Sequence, residues 1–235
     1  KDALSIAVQE KRCGLGISMG VGKTRIAIEH LKRNYHPLIQ VLVVVPKNTV
    51  KQSWIDELKK MKALHLRGHI IFSTYLSLNK QNPNEYDIVY LDECHSLLES
   101  HKSFLDAFNG KILGLTGTPP RVKTSEKGRM VAKYCPIKYT FSVDDATDSK
   151  ILNDYQIIVH QLELSDLKTL KKKTKDGRQW YTSEKKDYAY VVQRVVAAQT
   201  QKQMQFASIM RMRALMDYST KETYVKDLLR KVKTR

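Results

Sequence analysis

The sequence predicts an α/β fold: a parallel sheet with helices on both faces, followed by a mainly helical extension. Three observations carry this. Short apolar runs alternate with helix-spaced segments five times before residue 120. The runs are rich in Val, Ile and Leu without strict polar alternation, as strands buried on both faces require. The polar residues fit for chemistry gather just after the runs, and parallel α/β sheets place their sites along that carboxyl edge.

Residues 2–11 carry apolar side chains at Ala3, Leu4, Ile6, Ala7 and Val8, which predicts a short helix leading into a strand over Cys13 to Ile17. Then comes Met19-Gly20-Val21-Gly22-Lys23-Thr24, opening a helix through Leu31. Strand, glycine-rich turn and helix is the setting in which Gly-Lys-Thr cradles phosphate: the glycines let backbone N–H groups close on it, and the helix start adds its positive dipole end. Lys23 would reach the β- and γ-phosphates, and the Thr24 hydroxyl would ligate magnesium. The match is incomplete, because Ile17 stands where the full pattern has its first glycine.

The segment Asn34-Tyr-His-Pro37 breaks the helix, and Ile39 to Val45 reads as a second strand stopped by Pro46. The next helix runs through Trp54, Ile55, Leu58 and Met61, with Asn48 or Thr49 as cap and Trp54 packing it onto the sheet. A helix start at a strand end attracts anions, which makes Lys47 and Asn48 candidates for a nucleic-acid phosphate. His69 to Phe72 is a third strand, running into Ser73-Thr74-Tyr75; a short helix and a polar loop with Pro83 follow. Asp87 to Leu91 is a fourth, and it delivers Asp92-Glu93-Cys94-His95. Buried strands seldom end in paired acids without a cation, so Asp92 is a candidate magnesium ligand and Glu93 a candidate for polarising an attacking water. Leu98 to Phe108 reads as a helix, and 110–115 as a fifth strand ending in Thr116-Gly117-Thr118-Pro119-Pro120.

The last third says less. Tyr139 to Val143 and Tyr155 to Leu164 alternate as strands do. Lys168 to Arg178 is a basic cluster followed by Trp180 and Tyr181; it reads as a solvated mobile loop, with single-strand stacking as the alternative. Helical spacing runs from Ser183 to Met216, through Val191, Val192, Val195, Val196, Phe206, Ile209, Met210 and Leu215, and one more helix covers Tyr218 to Lys231. The expected division is 1–145 and 146–235.

The net charge of +17 and pI near 9.7 favour a polyanionic partner, nucleic acid first. No apolar run approaches the ~20 residues of a membrane span. Cys13, Cys94 and Cys135 form no CxxC pair, which argues against a disulfide framework or a zinc site and for a reducing interior rather than secretion.

Gly20-Val-Gly-Lys-Thr24, Val-Val-Val-Pro-Lys47, Ser73-Thr-Tyr75, Asp-Glu-Cys-His95 and Thr-Gly-Thr-Pro119 stand in the order and spacing of one family. Over residues 1–145 the chain resembles the first, RecA-like lobe of superfamily 2 helicases and translocases, most of all the chromatin-remodeller branch and its phage and viral relatives. The resemblance implies an ATP-dependent motor on nucleic acid, DNA more than RNA, using ATP and Mg2+. A nucleic-acid-binding scaffold with a degenerate ATPase core is the alternative. By the same resemblance Met19 to Arg25, including Val21 and Arg25, bind ATP; Lys23, Asp92 and Glu93 are catalytic, and Thr24 and Asp92 hold magnesium. His95, Thr116 and Thr118 link the nucleotide to nucleic acid or to a second lobe, and Lys47, Asn48, Ser73, Thr74 and Tyr75 touch the tracked strand. Ile151 to Tyr155 resembles the crossing to the second lobe, and Lys221 its start. The family's adenine-reading glutamine and its arginine finger are not seen in the chain, so it is expected to be a fragment that hydrolyses little ATP alone.

Overall fold

The computed structural model describes residues 3–174 and 176–232. Asp2 of the first expected helix, Lys175 of the basic cluster, and Arg235, near which a second-lobe strand is expected, lie outside them. The chain divides into two compact units, Lys1–Tyr155 and Gln156–Arg235.

The first unit runs α1 (Ala3–Gln9), β1 (Arg12–Ile17), α2 (Lys23–Arg33), β2 (Val41–Val45), α3 (Val50–Lys60), β3 (Ile70–Thr74), β4 (Ile88–Asp92), α4 (Lys102–Ala107), β5 (Lys111–Thr116), α5 (Glu126–Tyr134), β6 (Ile137–Phe141) and α6 (Val143–Asp148). The six strands form one parallel sheet in the order β3-β2-β4-β5-β1-β6. Alternate residues of β2 serve opposite faces. Val41, Val43 and Val45 pack with Ala27, Ile28, Leu31, Trp54 and Leu58 of α2 and α3, whereas Leu42 and Val44 pack with Phe104, Leu105 and Val131 of α4 and α5. A continuous apolar run is what such two-sided burial demands.

The structure corrects several boundaries. The helix expected over 98–108 is a 3-10 turn (Glu99–His101) followed by α4, because the His101 ring accepts the Leu98 N–H and closes the first turn. Thr49 does not cap α3: it is already helical, at φ −61° and ψ −27°, where a capping residue is extended. Nor does an Asn48 side chain take that place; its carbonyl accepts the Lys51 N–H. A division at residue 145 would cut α6, whose Ala146 is fully buried. Tyr155, the last residue of the unit, donates its hydroxyl to Asp144 of that helix at 2.9 Å.

In the second unit the basic cluster is not a loop. β7 (Leu170–Lys173) and β8 (Gln179–Thr182) form an antiparallel hairpin, and Gly177 at φ 86° makes the return. No strand forms over 155–164; Ile157, Ile158 and Val159 are exposed, and β propensity without a ladder partner does not suffice. Three helices follow: α7 (Glu184–Val196), α8 (Gln201–Asp217) and α9 (Ser219–Val232). The helical spacing over 183–216 is therefore two helices. Thr200 starts α8 through a reciprocal capping box with Gln203.

Candidate nucleotide site at the carboxyl edge of the sheet

Three motifs leave the sheet at one level: Gly16 stands beside Thr116, and Asp92 beside Leu115. Because β5 lies between β1 and β4, its exit Thr116-Gly117-Thr118 falls between the loop after β1 and the acids after β4. A side chain at Gly117 would start 3.3 Å from the Lys23 amine, so glycine there leaves the lysine its path.

Gly20 and Gly22 take φ of 81° and 95°, conformations costly for other residues, and they curl the loop over the start of α2. Gly22 has no side chain to cap that helix, so its first N–H groups stay available to a ligand. The loop opens on a cleft of about 540 Å³ lined by Met19 to Arg25, Glu57, Asp92 and Glu93. Across it, Lys23 Nζ lies 3.6 Å from Glu93 Oε1. Glu93 itself has φ 52°, a left-handed turn that takes the chain off β4.

Asp92 is buried, and burial pushes its carboxyl above the ordinary 3.8 despite a hydrogen bond from Trp54. That bond runs from the indole Nε1–H to Oδ2 at 2.9 Å, and the Tyr75 hydroxyl donates to the Asp92 backbone carbonyl at 2.8 Å. The carboxylate is thus held in a fixed orientation at the floor of the cleft.

Behind it, the Thr116 hydroxyl accepts the Thr118 N–H at 3.1 Å. It lies 3.4 Å from Glu93 Oε2 and 2.8 Å from His95 Nδ1. That nitrogen also lies 3.3 Å from the Thr118 hydroxyl and 3.4 Å from Glu93 Oε2.

Most residues singled out in the sequence thus meet in one place: Met19, Gly20, Val21, Gly22, Lys23, Thr24 and Arg25 with Asp92 and Glu93, and His95 with Thr116 and Thr118. Lys47 and Asn48 are exposed beyond β2, and Thr74 is half-buried at the end of β3. Ser73 and Tyr75 lie deeper. Both are buried, and the Tyr75 hydroxyl is already given to Asp92, because the 3-10 turn after β3 folds that ring under the sheet edge.

Two residues of the site escape sequence reasoning. Trp54 reads as a packing residue and is one, yet it also grips Asp92; Glu57 lines the cleft one turn further along α3. Their i, i+3 spacing, which puts both on one helix face, is the signal that could have found them. Below Trp54, Tyr90 lies against the indole with ring centroids 6.0 Å apart, and its hydroxyl meets His30 Nδ1 at 2.8 Å. Burial pushes His30 down to about 4, so this layer is neutral.

Fold and site together define the first lobe of a superfamily 2 helicase. Residues 2–121 match the family described as the type III restriction enzyme, res subunit, and the chain belongs to that family. Among curated proteins, one from an African swine fever virus isolate from a pig in Kenya, provisionally described as an ATP-dependent RNA helicase, is 32% identical over 128 residues, 45% of this chain. A second isolate, from a South African tick, gives 31% over the same length. The match spans 24% of those viral proteins' length. Among solved structures, the Pyrococcus furiosus Hef helicase domain aligns with a TM-score of 0.45 and 17% identity, over 63% of this chain and 39% of that one. The type ISP restriction-modification enzyme LlaGI, in complex with a DNA substrate mimic, aligns at 0.46 and 18%, over 64% and 20%.

Proposed function

We propose that residues 1–155 are the ATP-binding lobe of a nucleic-acid translocase or helicase, in which hydrolysis drives movement on DNA, and that residues 156–235 lead toward a second lobe of the full-length protein. The observation that carries this is the meeting of Lys23, Asp92 and Glu93 in one cleft, with His95 and Thr116 in contact with Glu93.

Lys23 and the N–H groups of the loop bind the phosphates. Glu93 takes up the proton of the attacking water, and Lys23, 3.6 Å away, holds its carboxylate in the cleft. Thr116 at the end of β5 and His95 just after β4 both bear on this carboxylate, so a shift of the 116–118 exit changes the base; this is how events on nucleic acid would reach the nucleotide. Thr24 and Asp92 fit a magnesium ion that arrives with its nucleotide. No group of three His, Cys, Asp or Glu side chains that could hold a metal occurs among the described residues, and magnesium takes much of its shell from phosphate oxygens and water. When bound, the ion neutralises phosphate charge. Lys47, Asn48 and Thr74 reach nucleic-acid phosphate along the same sheet edge.

The test is ATP binding and turnover by the full-length protein without nucleic acid and with single-stranded DNA, duplex DNA or RNA. Lys23→Ala should lose nucleotide affinity; Glu93→Gln should bind ATP and not hydrolyse it. Turnover that no nucleic acid stimulates would leave an ATPase without a motor, and no ATP binding at all would leave a scaffold.

A further inference from the structure

The basic hairpin of the second unit has a definite inside and outside. In its antiparallel register Lys171 stands opposite Tyr181, Lys172 opposite Trp180, and Lys173 opposite Gln179. Directly opposed residues share a face, so Lys171, Lys173, Gln179 and Tyr181 lie on one side, and Leu170, Lys172, Trp180 and Thr182 on the other. On the second side Leu170, Lys172 and Thr182 are half-buried, and Trp180 at the far end is 47% exposed. Leu170 packs against a cluster of Val191, Ala214 and Tyr218. The Lys172 amine lies 2.8 Å from Asp187, a nearly buried carboxylate that also accepts the Tyr218 hydroxyl at 3.1 Å. Lys172 is thereby a structural pin. It fixes the register, and a slip by one residue would exchange the two faces.

The outer side presents an aromatic ring beside two cations, Lys171 directly opposite Tyr181 and Lys173 diagonal to it on the neighbouring strand. Tyr181 is 59% exposed, and Lys171 and Lys173 are exposed without an ion pair among the described residues. Over residues 168–182 the sequence has six cations and one carboxylate, Asp176. An exposed ring with lysines on the adjoining strand can stack on a base while the amines meet the backbone phosphates, and it stacks only on a base that no partner strand covers.

We propose that the outer face of this hairpin is a site for single-stranded nucleic acid, with Tyr181 stacking on a base and Lys171 and Lys173 contacting phosphate. This rests on the nucleic-acid reading above and adds to it a second contact region, away from the strand-end motifs in sequence, with a preference for unpaired bases. Trp180, the larger aromatic, is on the wrong face for it.

Filter binding of the full-length protein to oligo(dT), oligo(U) and a duplex of equal length, across a KCl series, tests it. Tyr181→Ala should weaken binding to the two single strands roughly fivefold to a hundredfold and leave the duplex unchanged, while Tyr181→Phe keeps wild-type affinity. Lys171→Gln and Lys173→Gln should each reduce the log–log salt slope by about 0.7. Lys172→Gln should keep the slope and lower the melting temperature. Equal losses for duplex and single strand in Tyr181→Ala would overturn the stacking role, and a loss in Trp180→Ala as large as in Tyr181→Ala would overturn the choice of face. Circular dichroism of the variants checks that the helices persist. If the wild-type chain binds and Tyr181→Ala is unaffected, only the hairpin site fails; if the wild-type chain binds none of the three, the nucleic-acid reading fails with it.

Discussion

Asp92 and Glu184 are both buried acids, and the two places that hold them could hardly differ more. At the sheet edge Asp92 is held by the Trp54 indole and the Glu93 backbone with the Lys23 charge nearby, and burial still leaves its carboxyl raised. At the foot of α9, Glu184 is 1% exposed and receives four hydrogen bonds: the Ser165 N–H at 3.2 Å, the Ser219 hydroxyl and Thr220 N–H at 3.0 Å, and the Thr220 hydroxyl at 2.5 Å. Burial pushes Glu184 up as well, but these donors outweigh it and hold the carboxyl below its ordinary 4.5. One acid is complete within the chain, where it caps a helix and ties Ser165 to α9. The other keeps a raised carboxyl at the edge of an open cleft.

The contrast breaks first, and by most, at the neighbour of Asp92. Glu93→Gln should lower ATP turnover of the full-length protein by roughly 10²- to 10⁴-fold, with an unchanged denaturation midpoint; Glu184→Gln should do the reverse, and a turnover loss in it would erase the distinction. Glu184→Ala comes next. Four donors lose their acceptor, so the second unit should lose about 3 kcal/mol in urea unfolding followed by helical ellipticity. Asp92→Asn sharpens the comparison from the other side: it should stabilise the chain by about 1 kcal/mol and abolish magnesium-dependent nucleotide binding. Loss of stability in Asp92→Asn would mean the aspartate is a structural acid after all.

The smallest effect is in the pH dependence, where one proton gives a slope of at most about 1.4 kcal/mol per unit. Glu184, with a lowered native pKa, contributes stability that is full above 4.5 and is lost as pH falls through its native value. Asp92, with a raised one, contributes in the opposite sense: its share is full below 3.8 and is lost as pH rises through its native value. Melting curves of Glu184→Gln and Asp92→Asn against wild type should therefore diverge in opposite directions across the acid range. Parallel curves would refute both assignments.

The first unit was open to sequence reasoning because its strands are buried on both faces, so that runs such as Val41–Val45 cannot be polar anywhere, and because Gly-Lys-Thr and Asp-Glu each follow such a run. What the pattern hid is tertiary. Nothing in a linear sequence shows that the Trp54 indole turns to Asp92, or that the Tyr75 ring folds inward while Lys47 stays out. The second unit was less open for another reason. In α8, Met204, Phe206, Ile209, Met212, Leu215 and Met216 are all exposed, while the small Ala207 and Ala214 are buried. Helical spacing announces a helix, but not which side meets a neighbour. The hairpin is hidden in the sequence because Lys171, Lys172 and Lys173 in a row look solvated; only the pairing to Asp187 shows that the middle one is not.

The chain contains two tryptophans, and they fall one in each unit. Trp54 is sealed in the sheet core with its indole on a carboxylate, whereas Trp180 is half open to water. Their emission should separate, blue for the first and red for the second, so that Trp180→Phe leaves a lamp that reads the charge on Asp92 and Trp54→Phe leaves one that reads the hairpin. The protein carries its own optical probes, one for each half of the question it poses.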